Sequence, residues 1–316
     1  DYSENGELGR MKKEHSSRYF ETRPYTLFGM VVDSHVEDRL DLDTPEKERL
    51  IAIMDKHHPG EPHILTEMHV VLTEDCHHDP AAVMYFNDNL LIPHLKATID
   101  GFERIHYCCD GAPTQFDNVD MYNWASKCKA KHGVVCDWVI GCAAHNKDLS
   151  DGECGLCKNC VNRVNLEHEA TDVERQIKID TVPQVMQYLE ATFTRPQKDL
   201  AKKQGRGVYR RIFHHVPLRT ISRRVPSVKT LDGSKKRHQF VDTGKPGRVL
   251  WRRRPCHVCD GCLRCDHRRI TKECRYNDVC GRAQYKYIKS KGKTNVVVTR
   301  ARAAEAGLQS ATDACV

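Results

Sequence analysis

Apolar runs of strand length alternate with capped helices through the first 194 residues, and their order narrows the possible folds more than any other feature. Residues 25–33 (YTLFGMVVD) and 63–74 read as strands. Residues 36–62 are charged and hold Pro and Gly, so they read as an insertion with one short helix at 45–56. Asp79-Pro80 then opens a helix, because Asp caps an N-terminus and Pro suits the first turn. Ala82, Phe86, Leu90 and Ile92 give that helix an apolar face, which continues to Thr98. Residues 102–110 form a third strand, and 114–131 a helix anchored by Phe116, Met121 and Trp124. A Val- and Ile-rich strand follows at 134–143, a helix start at 151–164, and a longer amphipathic helix at 166–192. Residues 1–24 are polar and read as a loop. Strand, strand, helix, strand, helix, strand, helix is the order of an α/β protein.

Acidic residues sit at the ends of these elements. Asp1 opens the chain, Asp110 closes the third strand, and Asp151 starts a helix, with Glu153 two residues on. An Asp at a strand end is often only a turn or cap residue. Three carboxylates far apart in sequence still converge when each ends a strand or starts a helix in one sheet. Converging carboxylates hold Mg²⁺ or Mn²⁺, and a metal pair about 3.5–4 Å apart drives in-line attack on phosphodiesters. The catalytic candidates are therefore Asp1, Asp110 and Asp151. His145 and Lys147 suit auxiliary roles near a phosphate, or His145 caps the following helix.

The formal charge of +7 hides an asymmetry. Residues 1–194 carry 19 Lys and Arg against 34 Asp and Glu, a net of −15, and residues 195–316 carry 31 against 9, a net of +22. The expected organisation is an acidic, metal-binding core at 1–194 and a basic, Cys-rich nucleic-acid-binding segment at 195–316. DNA is the expected partner, gripped by Lys235, Lys236, Arg252, Arg253 and Arg254, with Tyr209, Trp251, Tyr285 and Tyr287 interleaved among the charges. Residues 202–207 read as a linker, 212–219 and 239–242 as short strands, and 248–254 as a basic strand. Hydrophobic residues make up 39% and the mean hydropathy is −0.63, which suits a soluble protein, and no apolar run approaches membrane-spanning length. The chain opens on Asp1 rather than Met, so it is expected to be a fragment or a processed piece. Association with further copies is left open.

Many of the sixteen cysteines lie in Cys-x-x-Cys spacing, which favours metal or reduced thiols over disulfides and points to a reducing compartment, cytosolic or nuclear. Cys256, Cys259, Cys262 and Cys265, with Cys274 and Cys280, match the knuckle spacing of a structural Zn²⁺ site; an iron–sulfur ligand run or a thiol loop are the alternatives. Cys154, Cys157 and Cys160 read as thiols packed in a core, or as a zinc set completed by Cys136 or Cys142.

Five ordered strings carry a family resemblance. Asp1-Tyr2-Ser3-Glu4-Asn5 is similar to the D-F/Y-A/S-E-N string of a transposase-derived family with a ribonuclease H-like core of the DDE/DDD type. Residues 74–79 (EDCHHD) resemble its S-D-D-x-x-H-D segment, and residues 109–118 (CDGAPTQFDN) its S-D-G-x-x-x-Q-F-K-N string. Residues 135–138 (VCDW) resemble its apolar strand ending in E-W or D-W. Residues 144–155 resemble its S-H-G-K through D-G-x-G-G, departing at Asn146 and Asp148; Leu156 stands where the second Gly of G-x-G-G is expected, and Asp117 where a basic residue is expected after the Asp110 string. The resemblance covers roughly residues 1–165, with a looser Cys-rich match at 250–280. It implies a mixed sheet flanked by helices, with a strand leading into Asp1, plus a small irregular basic C-terminal domain. The implied function is metal-dependent DNA cleavage or strand transfer in the nucleus by a protein of mobile-element origin, active, domesticated or decayed. A non-catalytic DNA- or chromatin-binding protein and a zinc-binding interaction module are the rivals.

Overall fold

The computed structural model describes residues 6–8, 23–141, 149–167, 179–193, 200–223, 228–229, 231–234, 237–252 and 284–289. Those residues form a mixed α/β protein with two mixed sheets. The first sheet has the order β1-β2-β3-β6, built from β1 (Gly6–Leu8), β2 (Arg23–His35), β3 (Ile64–Thr73) and β6 (Val208–Val216). β2 and β3 are antiparallel from Thr26↔Thr73 to His35↔Ile64, and β6 runs parallel to β3. The second sheet has the order β4-β5-β7-β8-β9, from β4 (Arg104–Cys109), β5 (Val135–Ile140), β7 (Gln239–Asp242), β8 (Arg248–Arg252) and β9 (Gln284–Tyr287). β4 and β5 are parallel, and the remaining pairs are antiparallel.

Local signals explain the helices. Asp43 caps α1 (Thr44–His57), its side chain accepting from the Glu46 amide at 2.9 Å. Asp79 caps α2 (Pro80–Phe86) by accepting from the Ala82 amide at 2.9 Å. A π-helical turn (Asn87–Leu91) carries the chain into α3 (Ile92–Thr98). The expected helix at 114–131 starts later and is broken. Asn118 caps α4 (Val119–Ala125), accepting from the Met121 amide at 3.1 Å, and α5 (Cys128–His132) follows a turn at Ser126 and Lys127. The Ser126 hydroxyl donates to the Asn123 carbonyl at 2.7 Å, a local bond that competes with helix continuation. Gly133 ends α5 at φ 75°, the left-handed region where a glycine costs least.

α6 (Leu149–Glu167) starts two residues earlier than the expected helix, and α7 (Val182–Phe193) covers only the end of the expected 166–192 helix; residues 168–178 between them are outside the described set. The expected loop at 1–24 contains β1, whose Gly6 pairs with Tyr25.

β3 is the centre of the first sheet and is buried on both faces. Met68, Val70 and Leu72 face one cluster with Leu27 of β2, Cys154, Cys157 and Val161 of α6, and Val185 and Leu189 of α7. Val71 and Phe28 face the other cluster, with Phe86, Phe116, Trp124, Trp138 and Trp251. Strands from beyond residue 194 take part in both sheets: β6 hydrogen-bonds to β3, and β7 to β5. No described helix is long and apolar enough to cross a membrane.

Candidate active site

β4 ends at Cys109, where the Gly141 amide donates to the Cys109 carbonyl at 2.8 Å and pins the strand end to β5. Asp110 follows at once. Its Oδ1 accepts from the Ala112 amide at 3.1 Å, so the carboxylate is anchored to its own turn. Burial, with the Asp110 charge second, pushes the Cys109 thiol up, so that neighbour stays neutral.

The first turn of α6 reaches the same place. Leu149 and Ser150 line a cavity of about 650 Å³ together with Asp110, residues 28–33 of β2 and residues 104–109 of β4. Gly29 is what lets α6 come so near: a Cβ there would stand 2.8 Å from Cys154 Sγ and 3.2 Å from Ser150 Cβ. Leu91, Leu95, Ile99 and Phe102 make much of the remaining wall apolar. Asp151 follows Ser150 and is exposed, whereas Glu153 is buried at 5% exposure. Both Glu153 oxygens accept from Arg211 of β6, Oε2 from Nε at 2.6 Å and Oε1 from Nη2 at 3.2 Å. Of Asp151 and Glu153, Asp151 is the one left facing solvent.

The cysteines of α6 belong to the core. Cys154 and Cys157 are buried against β2 and β3, and burial pushes the Cys154 thiol up to about 11 and the Cys157 thiol higher still. Cys136 lies in the other core cluster, away from them. Arg252 is 2% exposed, on a strand that pairs with β7. Asp1, His145, Lys147, Lys235, Lys236, Arg253, Arg254, Cys256, Cys259, Cys262, Cys265, Cys274 and Cys280 lie outside the described residues.

A second constellation sits where β3 meets α3 and β6. Glu67 and His69, two apart on β3, share one face and are fully buried. His94 of α3 approaches Glu67 Oε2 with its Nε2 at 3.6 Å, and His69 Nε2 lies 4.0 Å from the same oxygen. His69 Nδ1 is 3.1 Å from His214 Nε2, the two rings stacked. Arg39, fully buried, donates Nη1 to Glu67 Oε2 at 2.7 Å and Nη2 to Oε1 at 2.9 Å; Arg210 donates to Oε1 as well. Asp41 closes the set by accepting from both arginines. Burial raises the Glu67 carboxyl, but the guanidiniums of Arg39 and Arg210 that donate to it outweigh burial and hold Glu67 well below the usual range. Burial also lowers His69 and takes His214 down to about 4, so both are neutral at physiological pH.

The family described as a domain of unknown function (DUF8701) matches residues 50–246. The chain belongs to it. The DUF8701 match takes in β3, Asp110, the first turn of α6 and β6, while β2, Arg39 and Asp41 precede it. No curated protein matches the chain, and neither does any solved structure.

The Glu67 constellation is absent from the expectations of the sequence. A signal for half of it exists: Glu67-x-His69 inside an otherwise apolar strand puts two polar groups on one face, where each needs a partner. Nothing local in the sequence connects that pair to His94, His214, Arg39 or Arg210.

Proposed function

We propose that the chain is a transposase-derived protein that cleaves DNA phosphodiesters with divalent metal on a ribonuclease H-like core. The observation that carries this reading is that Asp110, at the end of β4, and the turn of α6 that bears Asp151 open on one cavity. β2 and β4, from different sheets, line that cavity with contiguous runs of residues. Asp1 is the remaining acid of this reading.

The donor chemistry suits the metal. Asp110 and Asp151 offer carboxylate oxygens, and Mg²⁺ and Mn²⁺ take oxygen ligands. Glu153 is unsuited, because Arg211 occupies both of its oxygens. A metal bound here supplies charge neutralisation at the phosphate and activation of water. Asp110 is oriented beforehand by β4 and the Ala112 amide. Asp151 rides in the first turn of α6.

A cation–aromatic surface supports DNA as the partner. Tyr285 and Tyr287 of β9 are 41% and 63% exposed, and the Arg248 guanidinium lies 3.9 Å from the Tyr285 ring centroid. Exposed rings beside basic groups stack bases and neutralise phosphates. A second reading, DNA binding without cleavage, is favoured by the burial of Glu153 against Arg211, which withdraws one of the two candidate acids in the first part of α6.

The test is nicking of plasmid DNA in Mn²⁺ by the wild type, Asp110→Asn and Asp151→Asn, with DNA binding measured alongside. Nicking that both variants lose while binding survives is the expected result. Binding without nicking by the wild type selects the second reading. Nicking that persists in both variants overturns the assignment of these acids.

A further inference from the structure

We propose that Glu67, His69 and His94 form a site for one divalent transition metal of the nitrogen-preferring class, with zinc as the representative ion. This inference is independent of the cleavage reading, because it uses none of the acids assigned to cleavage.

The starting point is an unmet polar requirement. His69 Nε2 and His94 Nε2 are both buried without a hydrogen-bond partner. Buried imidazole nitrogens ordinarily find one, and leaving one unmade costs about 1–3 kcal/mol. Both nitrogens face Glu67 Oε2 at distances beyond hydrogen-bond reach. The three atoms lie within 4.8 Å of one another, and this is the only group of three or more such ligands among the described residues. Tetrahedral zinc with bonds of about 2.0–2.1 Å brings ligand atoms to about 3.3 Å apart. The required contraction is small, and His94 is the residue free to make it, since its side chain sits at the surface of α3 with 22% exposure.

The surroundings prepare the ligands. His214 faces the other nitrogen of His69 at 3.1 Å; with Nδ1 donating to His214, His69 Nε2 presents its lone pair to the site. Glu67 Oε1 accepts from two guanidinium groups, whereas Oε2, the oxygen nearest both imidazoles, accepts from Arg39 alone among the charged donors. Three protein ligands leave a fourth position for solvent, reached past the exposed edge of His94.

Charge decides the class of ion. Arg39 and Arg210 balance Glu67 and Asp41, so the cluster has no surplus negative charge to draw in a hard cation such as Mg²⁺ or Ca²⁺. Binding must come from coordinate bonds to imidazole, which Zn²⁺, Co²⁺, Ni²⁺ and Cu²⁺ form.

The chain's many cysteines also take zinc, so the readout has to separate nitrogen from sulfur ligands. The full-length protein is stripped with chelator, its thiols are alkylated, and it is titrated with Co²⁺ and Zn²⁺. Expected are one equivalent of Co²⁺ whose X-ray absorption shows nitrogen and oxygen neighbours, a rise in Tm with Zn²⁺, and loss of both in His94→Ala. His94→Gln, close in size and polarity, carries the comparison if His94→Ala does not fold. Equal Co²⁺ uptake and equal Tm shift in wild type and His94 variants overturn the proposal, as does alkylated wild type that takes up no metal.

Discussion

Arg211 Nε stands 2.6 Å from Glu153 Oε2, with 5% and 7% of the two side chains exposed, so α6 is tied to β6 by a buried ion pair. Arg211 also lies over the Phe193 ring of α7, 4.8 Å from its centroid, which brings a third element into the contact. Removing one partner strands the other charge in the core. Arg211→Met alone should cost about 3–5 kcal/mol in urea unfolding. Arg211→Met combined with Glu153→Leu should recover much of that loss, since an apolar pair of similar volume is often neutral. Equal destabilisation in the single and double variants would show that the pair's charge is not what matters.

Gly29 should resist any larger residue. A Cβ there would meet Met68 Cε at 2.7 Å as well as Cys154 Sγ at 2.8 Å, both ends of side chains in a packed core. Gly29→Val is expected to cost about 1–3 kcal/mol by overpacking. Because the first turn of α6 must move away from β2, amide exchange at Leu149 and Ser150 should rise in the same variant. Unchanged protection there, with stability lost, would place the strain elsewhere.

Asp75 gives a pH-dependent contribution with a definite sign. Burial raises its carboxyl, but Arg223 at 2.8 Å and His77 at 2.9 Å bring it below the ordinary value of 3.8. A carboxyl whose folded pKa lies below its unfolded one stabilises fully above the unfolded value and loses that contribution as pH falls through the folded one. The loss therefore falls below about pH 4. Arg223→Gln should lower stability at pH 7, raise the acid-unfolding midpoint and flatten the dependence of stability on pH below about pH 4. An acid midpoint identical to wild type would remove Arg223 as the cause.

Tyr287→Ala should weaken binding to single-stranded DNA by about 1–3 kcal/mol if its ring stacks a base. The salt slope should be preserved, since no phosphate contact is lost. Arg248→Ala should instead flatten the slope. If Tyr287→Ala binds as tightly as wild type across the salt series, the exposed rings of β9 are not a nucleic-acid platform.

Elements specified by neighbouring residues were legible in the sequence. Asp79 announced α2, the run of Val and Ile announced β5, and β7 falls at residues 239–242 as expected. Partnerships between distant residues were not. Glu153 looked like a candidate metal ligand because nothing around it names Arg211, 58 residues away. The break between α4 and α5 carries no Gly or Pro, only the Ser126 hydroxyl and its bond to Asn123. The parallel pairing of β3 with β6 has no local signature at all, because register between remote strands is settled by packing.

That pairing has a consequence for how the protein comes to be made. Glu67 and Arg210, neighbours across β3 and β6, are 143 residues apart in the chain. A ribosome delivers β3 long before the strand that covers its edge and the arginine that neutralises its buried carboxylate. Until β6 emerges, an apolar strand lies uncovered along one side, the kind of surface that aggregates or recruits chaperones. The first sheet must therefore assemble after most of the chain is synthesised, by a slow search dominated by long loop closures.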